Sequence, residues 1–366
     1  MQSNLSIKLK VYKVENKPKI LYLYAEIMGY TLATIKVLKD IGFEIHVVYW
    51  DQKKITSFHF ENIEGIKFYP RSHFNSTSLK KLSLILKPEI VVVSGWQDFG
   101  YLKILRSLRN NGSKIISGFD AHWKGTFRQI ILFRFNFLVQ IFFEYAWIAG
   151  SFQIEYARKL GFKKEKIVYD LYSANLDLFN SYFQKNNLLK KNKFPHKFIY
   201  VGRFEKEKSL DILIDAWEKI KNRKDWELHL IGEGSMYNKL ININNIFLHT
   251  FLQPEDFEEI ISQSGCFILP SSYEPWGVVI HEFSAAGFPI ICSDNCGAGA
   301  SFLINGYNGI KFKAGNIDSL VESIKQIINL QDHELYILSQ NSNLIAQKIN
   351  PITSACNLVS ILNKSI

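Results

Sequence analysis

Cysteine is scarce in this chain: Cys266, Cys292, Cys296 and Cys356 are the only four in 366 residues, and none has the paired spacing of a zinc site. Two of them lie inside apolar, strand-like text, so reduced buried thiols are expected rather than a disulfide framework. Nowhere do about eighteen or more apolar residues run without charge, which excludes an obvious spanning helix. The opening MQSNLSIKLKVYKVENKPK has no apolar signal-peptide segment, and residues 1–17 read as a leader or poorly ordered arm. A cytoplasmic protein is the expectation. No repeat period or low-complexity tract is present, and no basic helix or aromatic platform has the spacing of an RNA module, so no nucleic-acid partner is expected. Acidic residues are thin in one half only. Residues 1–180 hold 26 Lys and Arg against 15 Asp and Glu, whereas residues 181–366 hold 18 against 19. The net charge of +10 therefore belongs to the first half, which suggests either an anionic partner for that half alone or a solvated basic surface with no partner.

What is present is a long alternation of short apolar strands and amphipathic helices. Hydrophobic residues at 47% are enough for two cores of ordinary domain size. In the first half, strands are expected at Lys19 to Tyr24, Glu44 to Trp50, Glu89 to Ser94 and Lys114 to Gly118, with helices between them. The polar, basic stretch 184–197 (QKNNLLKKNKFPHK) reads as a linker. A second α/β run begins at Phe198 and continues to about residue 351. The expected fold is therefore α/β, with two doubly wound, Rossmann-like domains facing across a cleft. Their bounds are 1–183 and 198–351, with a C-terminal helix over 352–366 packing back on the first domain.

In an open parallel sheet, ligands sit beyond the carboxyl ends of the strands. Four features of the second half reach that rim. Tyr200-Val-Gly-Arg203 ends one strand, and Arg203 and Lys208 follow it as a planar fork and a point charge suited to a diphosphate. The turn Gly232-Glu-Gly234 ends the next strand and suits close approach by a nucleoside. Cys266 to Leu269 is a buried strand leading into Ser271-Ser-Tyr-Glu-Pro275, then Gly277 and an apolar-periodic helix that carries Glu282 two turns in. Asn295-Cys-Gly-Ala-Gly299 forms the fourth loop. Helix-start amides together with two carboxylates fit a polyhydroxylated, phosphate-bearing ligand. On the first half's rim lie Gly29, Asp120 and His122, each after a strand. The stretch Thr126 to Trp147 is the most unusual by composition: Phe-rich, with Arg128 and Arg134 and no further charge before Glu144. It reads as one helix packed on the sheet, or as a membrane-surface contact.

The segments YVGRFEKEKSLDILIDAW, LIGEG and PSSYEPWGVVIHEFSAAGFPIICSD, followed by NGYNGIKF, resemble the group 1 (family 4) retaining glycosyltransferases of GT-B fold. The resemblance is close over about residues 198–325 and only in pattern before that. It implies that Glu274 holds hydroxyls of a donor sugar and Glu282 those of the ribose. Arg203, Lys208 and the amides of Gly277 and Val278 would bind the diphosphate, with Gly232 and Gly234 beside the nucleoside. Gly29 resembles the family's donor-side glycine, and His122 its histidine near the reacting sugar. Whether Asp120 or His122 faces the acceptor stays open. The implied donor is a nucleoside-diphosphate sugar, with no metal and no cofactor. The implied acceptor is a saccharide or lipid-linked hydroxyl, with the basic first domain against an anionic membrane surface. A sugar-nucleotide epimerase or hydrolase, or a non-catalytic binder, are the alternatives on the same fold. Three departures from the family pattern stand out: Gly29-Tyr30 for a Gly-Gly pair, Ser209 for a glycine, and Ser173-Ala-Asn-Leu-Asp177 for N-G-V-D.

Overall fold

The structure is a computed structural model that describes residues 17–52, 56–241 and 243–363. The leader expected over 1–17 lies almost wholly outside the described residues, as do residues 364–366 of the C-terminal helix expected over 352–366.

Two sheets form, and every strand pair in both is parallel. The first contains β1 (Lys19–Tyr24), β2 (Glu44–Tyr49), β3 (Ile66–Pro70), β4 (Ile90–Ser94), β5 (Lys114–Phe119), β6 (Tyr145–Ile148) and β7 (Ile167–Val168), ordered β3-β2-β1-β4-β5-β6-β7. The second contains β8 (Lys197–Val201), β9 (Glu227–Ile231), β10 (Phe247–His249), β11 (Cys266–Leu269), β12 (Ile290–Ser293) and β13 (Gly309–Phe312), ordered β10-β9-β8-β11-β12-β13. Runs such as IVVV in β4 and CFIL in β11 are buried throughout because helices cover both faces. In each sheet the order reverses once, between β1 and β4 and between β8 and β11. Flanking loops part at such a point and leave a crevice. The doubly wound pair of domains expected from the sequence is what forms.

The stretch 184–197 is not a linker. A helix of 17 residues, Leu176–Asn192, runs through most of it. Its buried residues Leu176, Phe179, Tyr182, Asn186 and Lys190 recur at helical spacing, and Phe179 and Tyr182 join the core of the second sheet. The exposed face supplies the polar, lysine-rich letters that suggested a linker. Residue 183 is therefore no boundary either, since the helix on both sides of it packs with the second domain. Lys190 is carried inside, its ammonium 3.6 Å from the Phe288 ring centroid and donating to the carbonyl of Gly287. Burial lowers its pKa to about 7. At the other end of the chain, Asn350 caps the helix Pro351–Val359, which packs on Gly29–Asp40 and puts Ala355 and Leu358 into the core of the first sheet. The chain thus crosses between domains twice.

Thr126 to Trp147 also differs from a single helix. It divides into Phe127–Arg134 and Asn136–Phe142, broken at Phe135 (φ −116°, ψ 36°), and Tyr145 onward is β6.

The Leu176–Asn192 helix is anchored by Phe179, whose ring meets Tyr182, Phe257 and Phe283. Phe179→Ala should cost about 3–5 kcal/mol, read as a lower denaturation midpoint at unchanged m-value. A surface linker would have shown no loss.

Candidate active site

The order reversal at β8/β11 brings two loops side by side. The loop after β8 carries Arg203 and Lys208, and the loop after β11 carries Ser271 to Gly277. Lys208 and Glu274 form a short ion pair between them, mostly shielded from solvent, and the Ser271 hydroxyl donates to the same carboxylate oxygen at 3.2 Å. Backbone bonds fix Glu274 further: its amide donates to Asn295 O and its carbonyl accepts from Gly297 N. The Asn295–Gly299 loop is therefore the floor under the motif.

In each of these loops the residue before the helix carries a positive φ. Gly277, at φ 85°, precedes the helix Val278–Ala285, and a Cβ there would stand 2.7 Å from Glu274 Cγ. Only glycine lets the carboxylate and the helix start coexist. No side chain caps that helix, so its start, beside Glu274, leaves first-turn amides without a side-chain partner. Ser209, which stands where a glycine was expected, is itself left-handed at φ 53°. Its hydroxyl accepts from the Ser272 amide at 3.0 Å, so the serine ties the two loops together where glycine would only have bent one. Arg203 is half-exposed and pairs with Glu207 at 3.2 Å. Gly232 and Gly234 have a more local reason than ligand approach. A Cβ on Gly232 would strike the Gly202 carbonyl, and one on Gly234 would lie 2.7 Å from Phe204 O. Their missing side chains let the β8 and β9 loops pack.

Glu282 lies on the motif helix, partly buried, and its carboxylate makes no hydrogen bond or ion pair among the described residues. Burial, then Glu255, raises its pKa to about 7.

Across the cleft, Asp120 follows β5 and is partly buried. Burial raises its carboxyl to about 6, the Glu274 charge adds to the rise, and Lys208 opposes it. The first domain's acid and the second domain's ion pair thus share one electrostatic neighbourhood. His122 turns its ring to Tyr273, 4.7 Å between centroids, and its buried Nδ1 finds no partner among the described residues. Burial and Lys124 lower its pKa. Gly29 begins the helix Gly29–Asp40, and a Cβ there would meet only the Phe58 ring, at 3.7 Å.

Three participants were not singled out in the sequence. Gln153, with no exposed surface, donates from Nε2 to both Asp120 O (2.6 Å) and Pro275 O (2.8 Å), and its Oε1 accepts from Gly150 N. One buried amide therefore fastens the Asp120 loop to the Glu274 loop. Gly150 lets the Trp276 ring close against the first domain, since a Cβ there would fall 2.5 Å from it. Tyr273 lies under Lys124, whose ammonium is 2.8 Å from the ring centroid. Gly150 alone left a trace, as a glycine directly after a strand.

Two parallel, doubly wound sheets meeting at their carboxyl rims form the GT-B fold. Among solved structures, sucrose-phosphate synthase from Thermosynechococcus elongatus superposes with TM-score 0.71 at 15% identity, over 95% of this chain and 99% of that one. Anabaena HepE, solved with UDP and glucose, gives TM-score 0.69 at 15% identity, over 94% and 99%. The family model for glycosyl transferases group 1 matches residues 182–343, and that for glycosyl transferase 4-like proteins matches residues 19–139. Glycosyltransferase models thus match both halves of the chain, the second half that of group 1. An uncharacterised glycosyltransferase of Methanocaldococcus jannaschii is 34% identical over 140 residues, 37% of this chain and 38% of that one. The lipopolysaccharide 1,6-galactosyltransferase of Escherichia coli is 28% identical over 147 residues, 37% of this chain and 40% of that one. The chain thus matches less than half the length of either relative.

Asp120 and Glu282 have raised pKa values in the folded state, so their neutral forms stabilise it. That contribution is full below about pH 4 and is lost as pH rises through about 6 for Asp120 and about 7 for Glu282. Asp120→Asn and Glu282→Gln should therefore each raise the ligand-free melting temperature at pH 8, by the equivalent of about 2–3 kcal/mol, and leave it unchanged at pH 4. Equal melts at pH 8 would show that neither carboxylate is held out of water.

Proposed function

We propose that this protein is a retaining, metal-independent glycosyltransferase that moves a sugar from a nucleoside diphosphate to a hydroxyl of a saccharide or lipid-linked acceptor. The acceptor belongs to cell-surface polysaccharide or glycolipid synthesis. The protein works in the cytoplasm at the inner face of a membrane, with its basic first domain toward the anionic surface. The observation that carries the reading is the meeting of Lys208, Glu274 and an uncapped helix start at one strand-order reversal, opposite Asp120. UDP and glucose in the Anabaena neighbour support a nucleotide-sugar donor here.

The residues divide the work by charge. Arg203, Lys208 and the amides of Gly277 and Val278 receive the diphosphate, and a phosphate arriving there competes with Glu274 for the Lys208 ammonium. The freed Glu274 carboxylate then accepts from the sugar's hydroxyls. Glu282, whose carboxylate has no partner among the described residues, accepts from the ribose hydroxyls. His122 offers its unpartnered Nδ1 to the sugar or the acceptor, and Asp120 lines the acceptor's side of the reacting carbon. During transfer the bond from the anomeric carbon to the phosphate oxygen breaks, and a bond to the acceptor oxygen forms on the same face. The acceptor's proton passes to the departing phosphate. Negative charge grows on the diphosphate, so the cations and helix amides stabilise the transition state more than the bound donor.

Glu274→Ala and Lys208→Ala should each lower kcat/KM with the true donor and acceptor by at least about a hundredfold. Melting curves report whether each variant stays folded. Wild-type turnover in both variants would refute the assignment. Donor consumption that does not depend on acceptor would instead make the protein a hydrolase or epimerase.

A further inference from the structure

The helices Phe127–Arg134 and Asn136–Phe142 invert the usual pattern of a surface helix. In the first, the one buried residue is polar, Gln129, while Phe127, Ile130, Ile131 and Phe133 face solvent. In the second, Val139 is buried while Phe137, Leu138 and Ile141 are exposed. Phe127 is 76% exposed, and Phe135 and Phe137 are 51% and 57%. Single exposed apolar residues are ordinary, but seven on two consecutive helices, with Phe135 between them, form a surface that lacks its partner.

The charge around this surface selects that partner. Residues 121–143 contain Lys124, Arg128 and Arg134 and no Asp or Glu. Over residues 99–164 there are eleven Lys and Arg against three Asp and Glu, so most of the chain's excess charge is gathered there. Arg128 and Arg134 are exposed on the same helix as the Phe residues. Arg109 caps the second helix, donating to the carbonyls of Gln140 and Ile141, and Lys159 stands over the rings of Trp123 and Phe133. A second copy docked face to face would set these cations against their own copies, whereas an anionic lipid surface takes both the rings and the charges. Among the described residues no helix is long and apolar enough to cross a membrane, so the contact lies flat at the interface.

We infer that these two helices are the surface by which the protein docks on an anionic bilayer, with Phe127, Phe135 and Phe137 entering the acyl boundary and Arg128 and Arg134 meeting the headgroups. The docking helix is wired to the cleft. Gln129 Nε2 donates to His122 O at 2.8 Å, and its Oε1 accepts from the Lys124 amide at 2.7 Å. A buried amide therefore holds the His122–Lys124 loop at a fixed height above the bilayer, where a hydroxyl carried on a lipid headgroup would arrive. This last step, a lipid-linked acceptor, rests on the glycosyl-transfer reading, whereas the docking itself does not.

Sedimentation with vesicles of phosphatidylcholine, with and without about one-third phosphatidylglycerol, tests the surface. The full chain should pellet with the anionic vesicles and be largely released by about 1 M salt, where the screening length falls to about 3 Å. Joint replacement of Phe127, Phe135 and Phe137 by Ser, and separately Arg128→Glu with Arg134→Glu, should each weaken binding by at least about tenfold, with unchanged melting temperature and unchanged nucleoside-diphosphate binding. Wild type staying in solution with anionic vesicles while still binding a nucleoside diphosphate overturns the docking and leaves the cleft reading intact. A dimer in sedimentation velocity without lipid, abolished by the Ser variant, also overturns it and assigns the face to a second copy. Vesicle binding in a protein that takes no nucleoside diphosphate upholds the surface and removes the transfer reading.

Discussion

The pairing of Lys208 with Glu274 depends on one topological constraint: strand order reverses between β8 and β11, so two loops 66 residues apart in sequence emerge side by side. Everything else at the site follows from keeping those loops in register. Gly277 has no side chain because Glu274 needs the space, and Ser209 takes a left-handed turn so that its hydroxyl can hold the neighbouring loop. The same reversal in the first sheet, between β1 and β4, opens the opposing rim from which the Gly29 helix starts. Gln153 joins the rims, a single buried amide bonded to the carbonyls of Asp120 and Pro275.

Two carboxylic acids of the cleft lie in surroundings that disfavour their charged forms. Glu282 and Asp120 are kept from water without a cation of their own, and each resists ionisation as a result. Such groups cost stability at neutral pH, and a ligand that supplies hydroxyl donors or excludes competing charge relieves the cost. The second domain tolerates this because its core is large and continuous, running from the Leu176–Asn192 helix through β11 to the C-terminal helices. His281 adds a further hold on the crossover, with Nδ1 accepting from the Ala174 amide and Nε2 donating to Ala346 O; burial lowers its pKa to about 4.

How much could be read in advance depended on how local the signal was. The strands and their alternation were legible because most are short, largely buried apolar runs. Arg203 and Lys208 after β8, and Glu274, Gly277 and Glu282 after β11, were legible because their spacing along each strand–loop–helix unit fixes where they lie. The linker was misread because an amphipathic helix with a narrow buried stripe shows mostly its polar face in the letters. Gln153, Tyr273 and Trp276 could not be read because their roles exist only once two domains touch, and nothing in their own neighbourhoods marks that. The glycines Gly232 and Gly234 were seen, but the physical reason for them, contact between two loops' backbones, lies in a residue pair that sequence order does not join.

The claim at the centre of this account is that the crevice beside Lys208 and Glu274 is built for a nucleoside diphosphate carrying a sugar. A thermal-shift panel of UDP, GDP and ADP sugars tests it most directly, because a ligand that binds only the folded state raises the melting temperature. The account predicts that one nucleotide series raises it by several degrees and that the shift is lost in Lys208→Ala. No shift with any of them, or a shift of the same size in that variant, would contradict it.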